Sequence, residues 1–300
     1  MKTHKTTHMP KAITGVTYTT TGERERGRVA DYHRKPHPLM LNKAKKVDIA
    51  GLKKKERESS VINLIEDNVA SKYTIGFEIE KNSFHRGAVK EYELFCGFER
   101  DRSCGYEAVT HILPLLPAGS WRNKVFDMMY KAKRIIEDSH SPSDRRCGGH
   151  ISIGISGMGG QEIRELVRTN CGILLALFRH RLRNNYCELN KRMASGWSAK
   201  YQVANPKYDC LEFRIPSKIE SVKQMMRRYE LIYEVVRFSD ENKLRNGVGN
   251  HETLLKRVRP IVLSMYEGDA EKCDKIIDLA RKFREYIVSG AIHTDIERYV

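Results

Sequence analysis

The sequence predicts an α+β protein in which an antiparallel sheet turns one polar face toward a cavity and rests its apolar face on helices. Three stretches predict it. In Tyr73-Thr-Ile-Gly-Phe-Glu-Ile-Glu80 the acids Glu78 and Glu80 alternate with Phe77 and Ile79. In Gly149-His-Ile-Ser-Ile-Gly154, His150 and Ser152 alternate with Ile151 and Ile153. In Cys210-Leu-Glu-Phe-Arg-Ile215, Glu212 and Arg214 alternate with Leu211, Phe213 and Ile215. Successive side chains of a strand point to opposite faces, so each stretch has one polar and one apolar side. A single antiparallel sheet accommodates all three.

Two carboxylates on one face repel each other and resist ionising unless a divalent cation lies between them or basic groups face them. By itself the first stretch also fits a solvent-facing edge strand with incidental glutamates. Three strands repeating the pattern favour a site. Carboxylates, an imidazole and a guanidinium converging on one cavity suit magnesium or manganese with phosphate oxygens.

Taken in order, residues 1–60 have no sustained periodicity and are broken by Pro10, Pro36 and Pro38, which predicts an extended arm. They hold fifteen Lys and Arg against six Asp and Glu, an excess of nine within the chain's formal charge of +16. Such an arm suits a polyanionic partner such as nucleic acid, or serves as a solubilising tail. A short amphipathic helix over Lys53–Ala70, with Val61, Leu64 and Ile65 on one side, leads into the first strand. A second strand is expected at Tyr92–Glu99. Glu107 follows the Gly105 turn and precedes Ala108-Val109, which places a carboxylate near a strand start.

From Ser120 to about Ser139, the residues Val125, Met128, Met129, Ala132, Ile135 and Ile136 form a helical stripe, with the methionines as core filler. The loop before His150 carries Arg145 and Arg146, placed to face phosphate or simply solvent. A long helix is predicted over about 161–184, its apolar middle Cys171–Phe178 buried, and its end crowded with Arg179, His180 and Arg181. Ser217-x-x-Glu220 reads as a capping box opening a helix to about Phe238, with Ser239-Asp-Glu-Asn breaking it. Two charged amphipathic helices at roughly 251–266 and 269–288 complete the chain. The organisation expected is therefore an arm over 1–60, a unit built on the polar-faced sheet over 61–238, which the resemblance given below makes a catalytic domain, and a helical extension over 239–300.

No run of eighteen apolar residues occurs, so no membrane span is expected. Met1-Lys-Thr-His-Lys-Thr-Thr-His8 has no apolar run behind it and does not read as a secretory signal, so a cytoplasmic protein is expected. Seven cysteines without Cys-x-x-Cys spacing argue against a disulfide framework and a zinc cluster. Gly154-Ile-Ser-Gly-Met-Gly-Gly160 lacks the Gly-Lys-Ser/Thr ending of a Walker A loop.

The order of motifs, Gly76-Phe-Glu-Ile-Glu80, Asp101-x-Ser with Gly105-Tyr-Glu107, Cys147-Gly-Gly-His150, an Arg-rich helix end running to Asn184-x-Tyr-Cys187, and Glu212-Phe-Arg214, resembles the amidoligase family of the glutamine synthetase and glutamate-cysteine ligase superfamily. The resemblance covers about residues 73–238. It implies a curved antiparallel sheet with a polar concave face over the active site, and an ATP- and magnesium- or manganese-dependent carboxylate-amine ligase. Matched motif by motif, Glu78, Glu80, Glu107, His150 and Glu212 correspond to metal ligands. Glu80, His150 and Arg214 take catalytic parts, with Arg214 neutralising phosphoryl charge. Arg214, Arg181, Asn184, Ser152 and Arg146 are the implied nucleotide-binding set, and the register at Arg181 and Asn184 is open by a residue or two. The sequence departs from the family where Ser152 replaces the second histidine of His-x-His and where Gly-Leu-His becomes Gly-Gly-His.

The implied partners are a carboxylate and an amine that the sequence does not name, and it leaves homo-oligomerisation open. Two other functions compete. One is an inactive amidoligase-like binding or structural protein that uses the basic arm on nucleic acid or another polyanion. The other is a phosphotransferase acting on a guanidino or amine group.

Overall fold

The computed structural model describes residues 62–64, 69–83, 92, 94–101, 104–138, 146–155, 157–182, 184, 187, 202–207 and 210–289. The arm over 1–60 and Arg145 lie outside them. The chain is α+β, with its main sheet antiparallel throughout. Strands β1 (Ile62–Leu64) and β2 (Val69–Ser71) pair with each other, Leu64 opposite Val69. This corrects the helix expected over Lys53–Ala70 in its described part. The two short runs carry the β-branched Ile62 and Val69, and strand pairing wins over a weak helical stripe.

The main sheet holds β3 (Tyr73–Lys81), β4 (Phe95–Asp101), β5 (Gly105–Thr110), β6 (Leu113–Pro114), β7 (Ile151–Ile155), β8 (Ala204–Pro206) and β9 (Leu211–Phe213). Its order is β4-β5-β3-β7-β9-β8, with β6 also paired to β3. The nine-residue β3 is central: one edge binds β5 and β6, and the other binds β7. The alternation read from sequence holds. Ile75, Phe77, Ile79, Ala108, Ile151, Ile153, Leu211 and Phe213 share the apolar face and are buried in the core. The second strand begins at Phe95, so Tyr92 precedes it.

Helices α1 (Ser120–Lys131) and α2 (Lys133–Ile136) carry the expected stripe, broken at Ala132, and all six of its apolar residues are buried. The single helix expected over 161–184 is instead α3 (Gly160–Val167), a 3-10 turn Arg168–Asn170, α4 (Gly172–Leu177) and a second 3-10 turn Arg179–Arg181. Asn170 explains the interruption, because its side-chain amide donates to Ser239 Oγ at 2.8 Å and to the Gly247 carbonyl at 2.9 Å. A buried amide so engaged fixes the chain locally and competes with helical geometry. Gly172 follows, with α7 so close that a Cβ there would lie 2.6 Å from the Ala280 carbonyl oxygen.

Helix α5 (Val222–Glu241) starts later and ends later than expected. Its cap is Ser221, whose Oγ accepts from Gln224 N at 3.1 Å. Ser217 is drawn away by the buried Arg228, which donates to the Ser217 carbonyl at 2.6 Å and to its hydroxyl at 3.2 Å. At the other end Ser239 stays helical by donating to the Val235 carbonyl at 2.7 Å. Helices α6 (His251–Met265) and α7 (Ala270–Ser289) match the two expected, and their apolar sides join the same core as the sheet. Helix α3 packs on β7, β8 and β9. No helix among the described residues is long and apolar enough to cross a membrane. The described cysteines, Cys104, Cys147, Cys171, Cys187, Cys210 and Cys273, are buried free thiols.

Tyr229 ties α5 to the chain after β6. Its hydroxyl donates to the Pro114 carbonyl at 2.6 Å and accepts from Leu116 N at 2.7 Å. Tyr229→Phe leaves both backbone groups buried without that partner and is expected to lower stability by about 1–3 kcal/mol, read from the urea midpoint at unchanged m-value. A second expectation concerns pH. His251 opens α6 buried, and burial, with Arg284 and Arg281 nearby, pushes its imidazole pKa down to about 4 against the opposing Glu252. The fold therefore holds it neutral. That contribution is complete above the ordinary value near 6.5 and is lost as pH falls toward 4, by up to about 3 kcal/mol. Urea titrations across this range should show a shallower loss for His251→Gln than for wild type.

Candidate metal centre on the buried polar face

The residues of the other face are placed by register. Glu80 stands opposite Glu107, which stands opposite Glu99, across β3, β5 and β4. Gly76 stands opposite Ser152, which stands opposite Glu212, which stands opposite Asn205, across β3, β7, β9 and β8. His150 lies one residue before β7, where its carbonyl accepts from Glu78 N at 3.0 Å and so aligns its ring with the acids of β3. Five of the sequence-predicted ligands thus come together. Glu78, Glu80, Glu107, His150 and Glu212 are all at most 5% exposed, so this is not a solvated edge.

They form two groups. Glu78, His150 and Glu212 have ligand atoms within 4.8 Å of one another, and so have Glu80, Cys104 and Glu107. His150 bridges the groups: its Nδ1 lies 2.8 Å from Glu78 Oε2 and 3.2 Å from Glu80 Oε1. Glu80 Oε2 also accepts from Gly148 N. A Cβ on Gly148 would lie 3.0 Å from His150 Nε2, 3.2 Å from Arg181 Nη2 and 3.3 Å from Glu80 Oε2. Glycine there lets the backbone enter the cluster.

Glu212 is the most buried of the acids and is paired on both oxygens, with Lys207 Nζ on Oε2 and Arg214 Nη1 on Oε1. Arg214 lies just past the end of β9, where its N–H donates to the Val203 carbonyl at 2.8 Å. Arg181 is buried and donates to the Cys147 carbonyl at 2.9 Å, so it shapes the segment that presents Gly148 and His150. Ser152 Oγ is buried and has no hydrogen-bond partner among the described residues. Gly76 opposite it contributes no side chain.

Two predicted positions are not drawn into the cluster. Asn184 lies half-buried in the turn after Arg181, where its N–H donates to the Arg181 carbonyl at 2.8 Å. Arg146 is exposed, next to Cys147. Sequence reasoning missed Cys104, Lys207 and Arg228. Cys104 had a signal in its spacing, three residues before Glu107 across the Gly105 turn, where φ is +109°. Lys207 had none, because the strand pairing of β8 with β9 brings it to Glu212.

The donor chemistry fits divalent cations. Two carboxylates with an imidazole suit magnesium or manganese, whereas a thiol beside two carboxylates favours manganese or zinc over magnesium. Among these acids Glu212 is the one paired with permanent cations on both oxygens, by Lys207 and Arg214. Comparison of the chain with protein-family models and with curated protein sequences finds no match.

Manganese is therefore expected to raise the melting temperature, by about 2.7 kcal/mol of stabilisation at a hundred times the dissociation constant. Glu78→Gln and Glu107→Gln should each reduce this shift, and the double variant should abolish it. Equal shifts in all four proteins would show that the ion binds elsewhere.

Proposed function

We propose that the protein is an ATP-dependent carboxylate-amine ligase of the amidoligase type, with a glutamine synthetase-like catalytic sheet. What carries the proposal is that the acids and histidine drawn from four separate motifs occupy one buried face, in two cation-sized groups bridged by His150, with Arg214 paired to Glu212. Incidental surface glutamates would not be buried together.

In the first half-reaction, a substrate carboxylate oxygen attacks the γ-phosphorus of ATP. The bond to the bridging oxygen breaks, ADP leaves with the electron pair, and an acyl phosphate forms. In the second, an amine attacks the acyl carbon, phosphate departs, and the amine loses a proton to give an amide or isopeptide bond. ATP is needed because a carboxylate at neutral pH is a poor electrophile.

The chain's own residues have separable parts. Glu78, His150 and Glu212 would hold one divalent cation, and Glu80, Glu107 and Cys104 a second. Such cations supply charge neutralisation at phosphate oxygens, commonly worth several kcal/mol. Arg214, held in place by Glu212, adds positive charge toward the transferred phosphoryl group. The Ser152 hydroxyl can donate to a phosphate oxygen or a water, a neutral substitute for the family's second histidine. Arg181 acts through the Cys147 carbonyl, keeping Gly148 N on Glu80 so that this carboxylate keeps its orientation.

Hydroxylamine serves as a general amine acceptor. With ATP, manganese and a panel of carboxylic acids, wild type should release ADP and form a hydroxamate. Glu212→Gln should lower both by about 10²-fold or more, as expected for loss of a charge-stabilising group. ADP formation without hydroxamate would favour the phosphotransferase, and neither product across the panel would count against turnover.

A further inference from the structure

A cleft lies outside the polar face, among the end of α4, the first turns of α5 and the end of α6, with a volume of about 260 Å³. Its charged lining is dominated by cations. Lys223, Arg227, Arg228 and His180 line it, against the single carboxylate of Glu267. Glu267 is a weak counter-ion, 3.8 Å from Lys223 with both side chains more than half exposed. Behind Arg227 stands Glu230, whose one charge is shared with Arg122 at 3.4 Å.

Two of the lining cations are also perturbed by their surroundings. Burial, and then Arg181 nearby, hold the Arg228 guanidinium down to about 9 against the opposing Glu220. Burial and then Arg181, Arg179 and Arg228 hold the His180 imidazole below its ordinary value. An anion in the cleft would favour the charged form of both groups.

The neutral lining narrows the ligand. Ser217 Oγ accepts from Arg228 and Ser221 Oγ accepts from Gln224 N, which leaves each hydroxyl's proton able to donate into the cleft. Two hydroxyls with an ammonium and a guanidinium offer enough donors for three terminal oxygens. Leu177, Phe178, Met265 and Tyr266 supply an apolar wall beside them.

We propose that this cleft binds a small organic phosphate monoester, with the phosphate among Lys223, Arg227 and the two serine hydroxyls and an apolar body against the α4–α6 wall. The site is distinct from the metal centre and does not depend on the ligase assignment. It is nevertheless physically joined to that centre. Ser217 forms a bridge with Gly148, and Gly149 N donates to the Pro216 carbonyl at 3.1 Å, so one end of the cleft rests on the segment that presents His150.

The test is calorimetric titration of the full chain, in chelator and without ATP, with phenyl phosphate and with inorganic phosphate. Lys223→Glu and Gln224→Glu alter exposed positions in the first turn of α5, where an added carboxylate favours the helix, so both should fold. Phenyl phosphate is expected to bind wild type at one site and to bind both variants at least tenfold more weakly, with Glu212→Gln unaffected. No binding to wild type, or equal binding to both cleft variants, overturns the proposal. Loss of binding in Glu212→Gln overturns it too, because the phosphate would then lie at the metal centre. Inorganic phosphate should bind more weakly than phenyl phosphate, and equal affinity would overturn the apolar body.

Discussion

Placing Glu78, Glu80, Glu107 and Glu212 together in the interior is the constraint to which the rest of the fold answers. Removing an ionised carboxylate from water costs several kcal/mol even after relaxation, and four of them repel one another. The chain offsets part of this with Lys207 and Arg214 on Glu212, His150 between Glu78 and Glu80, and a backbone N–H from Gly148 on Glu80. Divalent cations held on this face would add to these contacts. Such an arrangement makes poor sense as a device for stability alone, where apolar residues of similar volume would serve as well or better.

The scaffold is arranged to hold that face still. Strand β3 is nine residues long, buried along nearly its whole length and paired on both edges, so its two acids have little freedom to separate. Its apolar face rests on one continuous core that includes α6 and α7, which links the C-terminal helices to the site through packing. The glycine at position 149 also has a local cause. A Cβ there would come within 2.5 Å of the Ser217 carbonyl and 2.8 Å of Arg228 Nη1, so the space that a larger residue would need is taken by the Arg228–Ser217 contact. That contact also displaces the helix cap from Ser217 to Ser221.

Much of this was legible in the sequence because alternation is a strong signal. Period-two patterning put Glu78, Glu80, His150, Ser152 and Glu212 on one face, and helical stripes identified the buried sides of α1, α5, α6 and α7. What was hidden depended on contacts distant in sequence. The break in the 161–184 helix comes from Asn170 reaching Ser239 and Gly247, and the position of Lys207 comes from strand pairing. Local propensity misled at residues 62–71, where an apolar stripe fitted a helix as well as it fitted two short strands. Cys104 carried a spacing clue, but one cysteine among seven does not stand out until the Gly105 turn folds it back beside Glu80 and Glu107.

The most direct measurement is the position of bound metal, from anomalous scattering of crystals grown with manganese. Two peaks are expected, one among Glu78, His150 and Glu212 and one among Glu80, Cys104 and Glu107. Ordered protein without a peak on this face, at manganese concentrations that saturate binding in solution, would contradict the account. The buried acids would then rest on contacts within the chain, such as those of Lys207 and Arg214 with Glu212, and the polar face would have no metal-dependent chemistry to perform.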